Sequence, residues 1–266
     1  MTGASKTTVM KLLSDLGLVC SIYLDRAMRD LPCERIQCDE IWSFVYSKQK
    51  NVPADKHDEA GDVWTWVAID ADTKLVPSFM IGTRDIGTAS AFMDDVAKRM
   101  KHRVQLTTDG HRPYLQAVRG AFGRGGVDYA QLVKYYGTDS TAKPERRYSP
   151  AVCTGIDQRP ILGDPDPDHI STSYVERQNL TMRMSMRRFT RLTNGFSKKM
   201  ENHAAAIALH FMHYNFVRVH QTLGTTPAVA AGIAEKPWTV GDLVKLLTDA
   251  ENAVPMKRGP YKKHAA

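Results

Sequence analysis

Three consecutive runs of strand-forming residues, followed by alternating helical and strand-like segments, constrain the possible fold of this chain more than any other feature. Polar turns containing Gly or Asp separate the three runs, and apolar residues then recur with the spacing of an amphipathic helix. The order β-β-β-α-β-α-β predicts an α/β fold, in which acidic residues that end strands should lie together at one sheet edge. The predicted strands are 36–46, 63–69, 75–81, 104–108 and 130–135, and the predicted helices are 89–101 and the segment after Pro113.

A short helical segment precedes the strands. Ser5 can cap a helix that ends at Gly17, and a second helix is predicted over 20–31. The solvent face of the first helix holds Lys6 and Lys11, and the turn before Ser5 resembles the one that leads into the recognition helix of a helix-turn-helix. Ordinary helix packing gives the same pattern. We interpret 1–32 as a partial helix-turn-helix-like DNA-binding segment that lacks the first helix of such a motif.

The second half of the chain is predicted to be largely helical. Five prolines and few apolar residues mark 139–172 as a long insertion in a catalytic core that spans 36–217. Helices are predicted over 173–192 and 201–217. The remaining region, 218–266, is predicted as a helical C-terminal extension with a helix near 240–251 and a basic tail.

Charge and composition narrow the class of protein. The chain of 266 residues has 36 Lys and Arg against 29 Asp and Glu, and its net charge of +7 favours a polyanionic partner such as nucleic acid. Its 4 cysteines form no C-x-x-C pair, so the sequence suggests neither a zinc knuckle nor a disulfide framework. No membrane-spanning run and no signal peptide are apparent, and a cytoplasmic protein is expected.

The first candidates for chemistry are Asp39 and Glu40, which lie inside the strand-like run 36–45. Asp is disfavoured within strands, so either a function or a solvated strand edge must account for it. Because side chains alternate along a strand, the two carboxylates project to opposite faces. The pattern leaves open which of them faces a site.

Two further acids follow in the chain. Asp109 ends the strand 104–108 and precedes Gly110, a pair that is also typical of a simple turn. Glu176 lies near the start of the helix 173–192, on a face shared with Arg183 and Arg187, where an ordinary surface pair is the alternative. Other acids remain alternatives to Glu176, although none lies on a predicted helix: Asp139, Glu145, Asp157 and Asp164.

The order of these acids predicts a metal site. Three carboxylates at one sheet edge can hold two Mg²⁺ ions about 4 Å apart, which activate the attacking oxygen and stabilise the leaving oxygen of a phosphodiester. Asp39, Asp109 and Glu176 are therefore the first candidates for catalytic and metal-binding residues, with the choice between Asp39 and Glu40 still open.

Four segments in this order carry a family resemblance: 38–42, 107–110, 171–179 and 214–228. In them the chain resembles the acidic-triad (DDE) transposases of bacterial insertion sequences, in particular the insertion-sequence-one family, over about residues 3 to 233. The resemblance implies a ribonuclease H-like core, two Mg²⁺ or Mn²⁺ ions, DNA cleavage with strand transfer, and a homo-oligomer in the active complex. It carries the triad onto Asp39, Asp109 and Glu176, and a basic residue seven positions further onto Arg183.

A strongly basic stretch follows Glu176. Residues 177–199 contain seven Arg or Lys and no acid, which favours a surface that binds a polyanion. Double-stranded DNA is the expected partner of a transposase. A non-catalytic DNA-binding remnant and a ribonuclease H-like nuclease without strand transfer are the alternatives. The predicted DNA-binding residues are Lys6, Lys11, Arg183, Arg187, Arg188 and Arg191.

Overall fold

The computed structural model describes residues 3–123, 125–137, 152–190 and 194–253. Within them, six strands form one sheet: β1 (Arg35–Val45), β2 (Gly61–Asp70), β3 (Ser78–Gly82), β4 (Val104–Thr108), β5 (Val127–Gly137) and β6 (Val152–Leu162). Their order in the sheet is β3-β2-β1-β4-β5-β6. β1, β2 and β3 pair antiparallel, β4 is parallel to both β1 and β5, and β6 is antiparallel to β5. The predicted α/β class is confirmed.

Helices cover both faces of this sheet. They are α1 (Lys6–Ala27), α2 (Ile86–Arg99), α3 (Pro113–Phe122), α4 (Ser173–Ser185), α5 (Met200–Met212), α6 (Pro227–Ala230) and α7 (Val240–Ala253). On one face, Trp66 of β2 packs against Phe92 of α2 and Tyr114 of α3. On the opposite face, Phe79 of β3 packs against Phe211 of α5. The buried sheet thus separates α2 and α3 from α4 and α5.

The amino-terminal segment differs from its prediction. Instead of two helices, α1 runs unbroken through Gly17, and it packs along α5. A Cβ atom at Gly17 would lie 2.5 Å from the Cα of Ala205, so this glycine permits close helix packing and does not end the helix. Cys20 and Leu24 of α1 belong to the same core as the sheet. The helix begins as predicted, with Ser5 as its N-cap, whose hydroxyl accepts a hydrogen bond from the backbone N of Thr8 at 3.1 Å.

Among the described helices, only α1 is long and apolar enough to cross a membrane by length and composition. Its 22 residues include an 18-residue window with a mean hydropathy of 1.3, whereas the sequence analysis expects no such segment. A mostly buried core helix passes the same test, but only 17% of this window is buried. α1 buries Gly17, Cys20 and Leu24 and contacts both α5 and α7.

The predicted insertion contains a strand. β6 pairs antiparallel with β5 and forms the edge of the sheet. Within this pair, Pro160 lies opposite Ala130. The sequence predicts no strand here because proline lacks the N–H that a sheet ladder uses, but an edge strand tolerates it. Residues 138–151 lie outside the described part of the chain.

The helix predicted over 173–192 is shorter than expected. α4 ends at Ser185, Met186 is extended, and a 3-10 turn follows at Arg187–Phe189. This turn buries the side chain of Phe189 in the core. The helical spacing predicts that Arg187 shares a helix face with Glu176 and Arg183. This prediction is wrong, because Arg187 lies beyond the end of α4.

Candidate functional site

The parallel pairing of β1 with β4 brings the first two predicted acids together. Cys38 lies opposite Thr108 in this ladder, so Asp39 and Asp109 follow at neighbouring positions. Asp109 comes directly after β4, where its Oδ1 accepts a hydrogen bond from the backbone N of His111 at 3.0 Å. This local turn holds the Asp109 carboxylate at the carboxyl end of β4, beside the middle of β1.

Glu40 joins these two acids. One carboxylate oxygen from each of Asp39, Glu40 and Asp109 lies within 4.8 Å of the other two. The Glu40 side chain is completely buried and projects toward α3, where its Oε2 accepts a hydrogen bond from the hydroxyl of Tyr114 at 3.1 Å. The sequence leaves open which of Asp39 and Glu40 faces a site; in the structure both carboxylates reach it, from opposite faces of β1.

Glu176 enters the same cleft from α4. The backbone N atoms of Tyr174 and Val175, at the start of this helix, donate to Oε1 of Gln37 at 2.8 and 3.2 Å. Gln37 lies on the same face of β1 as Asp39, so this contact fixes the first turn of α4 above that strand. The Glu176 carboxylate forms an ion pair with Lys134 of β5 and accepts a hydrogen bond from the Thr172 hydroxyl at 2.7 Å. It is not part of the 4.8 Å cluster.

One turn after Glu176, Asn179 reaches the Asp39 carboxylate. Its Nδ2 donates to Oδ2 of Asp39 at 2.8 Å. The side chain of Asn179 is buried, and its Oδ1 has no hydrogen-bond partner among the described residues. A buried amide oxygen without a partner is costly, which indicates a position suited to a further polar ligand.

Together these residues line a cleft of about 820 Å³. Its basic members are Arg84, Arg112, Lys134 and Arg183. Arg183 lies two turns beyond Glu176 on α4, on the helix face that also carries Asn179. The cleft therefore combines clustered carboxylates with cationic walls.

Burial and mutual repulsion perturb the acids. Burial, followed by the charges of Glu40 and Asp109, raises the pKa of Asp39 from 3.8 to about 7. The pKa of Glu40 is also raised, by burial and by the charge of Asp109, although hydrogen bonds from Arg84 and Tyr114 oppose this shift. Carboxylates held this close together favour a cation that would neutralise them.

The other predicted residues lie elsewhere. Lys6, Lys11, Arg187 and Arg188 line a second groove of about 1630 Å³ between α1, α5 and the turn after α4. Arg188 is partly buried, and it donates to the Ser197 hydroxyl at 2.9 Å. Arg191 lies outside the described residues, as do the alternative acids Asp139 and Glu145.

Asp157 and Asp164 are described, and neither lines the cleft. Asp157 pairs with Arg159 on β6, while the backbone N of Asp164 donates to Asp128 beyond the end of that strand. Sequence reasoning gave Arg84, Lys134 and Asn179 no role in the site. Asn179 lies at helical spacing from Glu176 and ends the segment 171–179 that carries the resemblance, whereas the sequence offers no signal for Arg84 or Lys134.

No protein-family model matches the chain, and no curated protein matches it. The family resemblance therefore rests on the four motifs alone. Among solved structures, the chain is similar to the cryo-EM structure of a simian T-cell lymphotropic virus intasome in complex with the PP2A regulatory subunit B56 gamma, with a TM-score of 0.42 and 13% identity. The match covers 76% of this chain, which spans about half (55%) of the length of that one.

Proposed function

We propose that this chain is a DDE-type transposase, which cleaves DNA and transfers the strand in a metal-dependent reaction. The observation that supports the proposal is the convergence of Asp39 and Asp109 at one sheet edge, with Glu176 on the facing helix of the same cleft. The sheet order β3-β2-β1-β4-β5, with three antiparallel strands followed by parallel ones, supports a ribonuclease H-like core. We further propose that 1–32 contributes to DNA binding and that 36–217 is the catalytic core.

The donor set suits a hard divalent cation. Mg²⁺ and Mn²⁺ prefer oxygen ligands, and the cleft offers clustered carboxylate oxygens together with the buried Oδ1 of Asn179. Asp39, Asp109 and Glu176 would hold the ions. When bound, two such ions would activate the attacking oxygen and stabilise the leaving oxygen of a phosphodiester.

The residues of the chain itself have separable tasks in this proposal. Asn179 orients Asp39 through its 2.8 Å hydrogen bond, and Lys134 neutralises Glu176 while that carboxylate has no cation to bind. Arg183 extends the basic wall along α4, from which it can contact a DNA phosphate beside the one that is cut. The cleft thus positions a DNA strand between an acidic edge and a basic helix.

Cleavage of DNA by charge-neutralised variants tests the proposal. Asp109→Asn and Glu176→Gln keep the side-chain shape but remove a ligating charge. We therefore expect each variant to lose at least about 100-fold in the rate of Mn²⁺-dependent cleavage, which is about 3 kcal/mol in activation free energy, and to keep DNA binding. The substrate is duplex DNA carrying the sequences that flank the coding region. Asp157→Asn is the matched control, because Asp157 is an acid on β6 outside the cleft.

Cleavage by Asp109→Asn at the rate of the control would contradict the assignment of that acid. Cleavage by Glu176→Gln at the control rate would instead move the third ligand to another residue. A wild-type chain that binds DNA and cleaves neither intact nor nicked substrate would favour the non-catalytic remnant.

A further inference from the structure

The Glu40 carboxylate is fully engaged by protein groups. Its Oε1 accepts a hydrogen bond from Nε of Arg84 at 2.6 Å, and its Oε2 accepts one from the Tyr114 hydroxyl at 3.1 Å. The side chain has no exposed surface. A hard cation that keeps part of its water shell needs ligands that face solvent, so these bonds direct Glu40 toward Arg84 and away from a metal.

Arg84 is held on three sides. It lies in the loop between β3 and α2, its guanidinium stacks 4.8 Å from the ring centre of Trp64, and Nε is fixed by Glu40. Its Nη2 lies 3.8 Å from Oδ2 of Asp109. The side chain nevertheless keeps 39% of its surface exposed and lines the cleft. The guanidinium is therefore ordered in advance, with one edge turned toward the acidic cluster.

Such an arrangement is suited to binding a phosphate. A planar guanidinium presents paired N–H donors that match two oxygens of a phosphodiester, and holding it in place lowers the entropy lost on binding. A DNA strand that enters between Asp109 and Arg183 brings its phosphates beside Arg84.

We propose that Arg84 contacts a DNA phosphate in this cleft and that Glu40, with Trp64, is a positioning residue for it and not a metal ligand. The inference rests on the proposed function, since it takes nucleic acid as the occupant of the cleft. Adjacent residues of β1 then have different roles: Asp39 would bind the metal ion, and Glu40 holds the Arg84 guanidinium in place.

Binding of labelled duplex DNA without divalent metal, measured by fluorescence anisotropy over a range of salt concentrations, tests the contact. Arg84→Ala should weaken binding about 5-fold or more and reduce the slope of log affinity against log salt by about one. Arg84→Lys should recover the slope, because it keeps the charge. Arg103→Ala is the matched control, since Arg103 also pairs with an aspartate, Asp128, but precedes β4 and lies outside the cleft.

Loss of Arg84 alone leaves a buried carboxylate without its partner and could unfold the chain. The double variant Glu40→Gln with Arg84→Gln removes both charges together, and it should show the same reduced slope with a cooperative unfolding transition. Mn²⁺ bound at the carboxylates should raise the Tm of the wild-type chain; the double variant should keep this rise, whereas Asp109→Asn should lose it.

Each outcome decides one point. Equal slopes for Arg84→Ala, the double variant and the Arg103→Ala control would overturn the phosphate contact. Loss of the Mn²⁺ response in the double variant would make Glu40 a metal ligand. Neither result touches the cleavage assay of Asp109 and Glu176, whereas a wild-type chain that binds no DNA would overturn the proposed function and this inference together.

Discussion

Asp39 lies at the centre of the cleft, where burial and two neighbouring acids raise its pKa to about 7. The folded chain therefore holds a proton on Asp39 at pH values where the unfolded chain, with an ordinary pKa of 3.8, has released it. This contribution to stability is fully present below about pH 4 and is lost as pH rises toward 7. The pKa of Glu40 is also raised by burial, so its contribution to stability is likewise lost as pH rises.

Replacing Asp39 by Asn should remove this part of the pH dependence. Without divalent metal, we expect the wild-type free energy of unfolding to fall between about pH 4.5 and about pH 7.5, and Asp39→Asn to reduce that fall by roughly 2 to 4 kcal/mol. Urea unfolding at several pH values measures both. The control Asp157→Asn, on β6 outside the cleft, should show the same decrease in the free energy of unfolding as the wild type. If Asp39→Asn also showed that decrease unchanged, the raised pKa would belong to another residue.

The residues of the site differ in how far sequence could reveal them. Asp39 was predictable because an acid within a strand is unusual enough to need a reason, whereas Asp109 follows a strand, where acids commonly form turns, and only its order with the other acids singled it out. Arg84 was not, because an exposed arginine in a loop has no pattern, and only the tertiary fold brings it to Glu40. Lys134 was not predictable either, because the alternation of side chains along β5 does not indicate an ion pair with Glu176 on α4.

At the scale of elements, two predictions are wrong because residues that usually end an element have tertiary roles here. Gly17 makes room for Ala205, and Pro160 lies in an edge strand. The strands β1, β2 and β4 were predictable to within a few residues because their apolar runs are buried in the sheet. The early end of α4 depends on the burial of Phe189, which no local pattern marks.

The close approach of α1 to α5 makes Gly17 sensitive to a single methyl group. Gly17→Ala would bring its Cβ to 2.5 Å from Ala205, and the strain should exceed the gain in helix propensity. We expect a net loss of about 1 to 2 kcal/mol in the free energy of unfolding, measured in urea. Gly120→Ala in α3 is the control, because nothing lies within 4 Å of its Cβ position and the same change should be neutral or stabilising.

If Gly17→Ala were as stable as Gly120→Ala, the two helices would have to be further apart than described. A loss of DNA binding without any loss of stability would instead point to a direct role of this part of α1 in recognition.

At the scale of the whole molecule, basic residues line two separate concave surfaces. Arg183 lies in the cleft that holds the acids, whereas Lys6, Lys11, Arg187 and Arg188 surround the larger groove. The basic side chains of the described residues are thus grouped in at least these two regions. Basic side chains in such surfaces contact phosphates, which carry no sequence information, so they suit contacts with the DNA backbone more than base reading.

We expect the larger groove to bind DNA without sequence preference. The double variant Lys6→Ala with Arg187→Ala should reduce the salt slope of duplex binding by about two and should weaken binding to unrelated sequences equally. The control is Lys98→Ala with Lys101→Ala, which removes the same charge from exposed positions at the end of α2. Equal slopes for the two double variants would exclude the groove as a DNA contact.

The bond between Gln37 and the start of α4 has a consequence for how this chain can vary. Because a side chain of β1 bonds directly to the backbone that begins the helix, part of what positions Glu176 does not pass through the preceding connection. Lengthening that connection costs little, since the entropy of closing a loop grows only slowly with its length. We therefore expect residues inserted into that connection to leave the start of α4 anchored on β1, with Glu176 still facing the cleft.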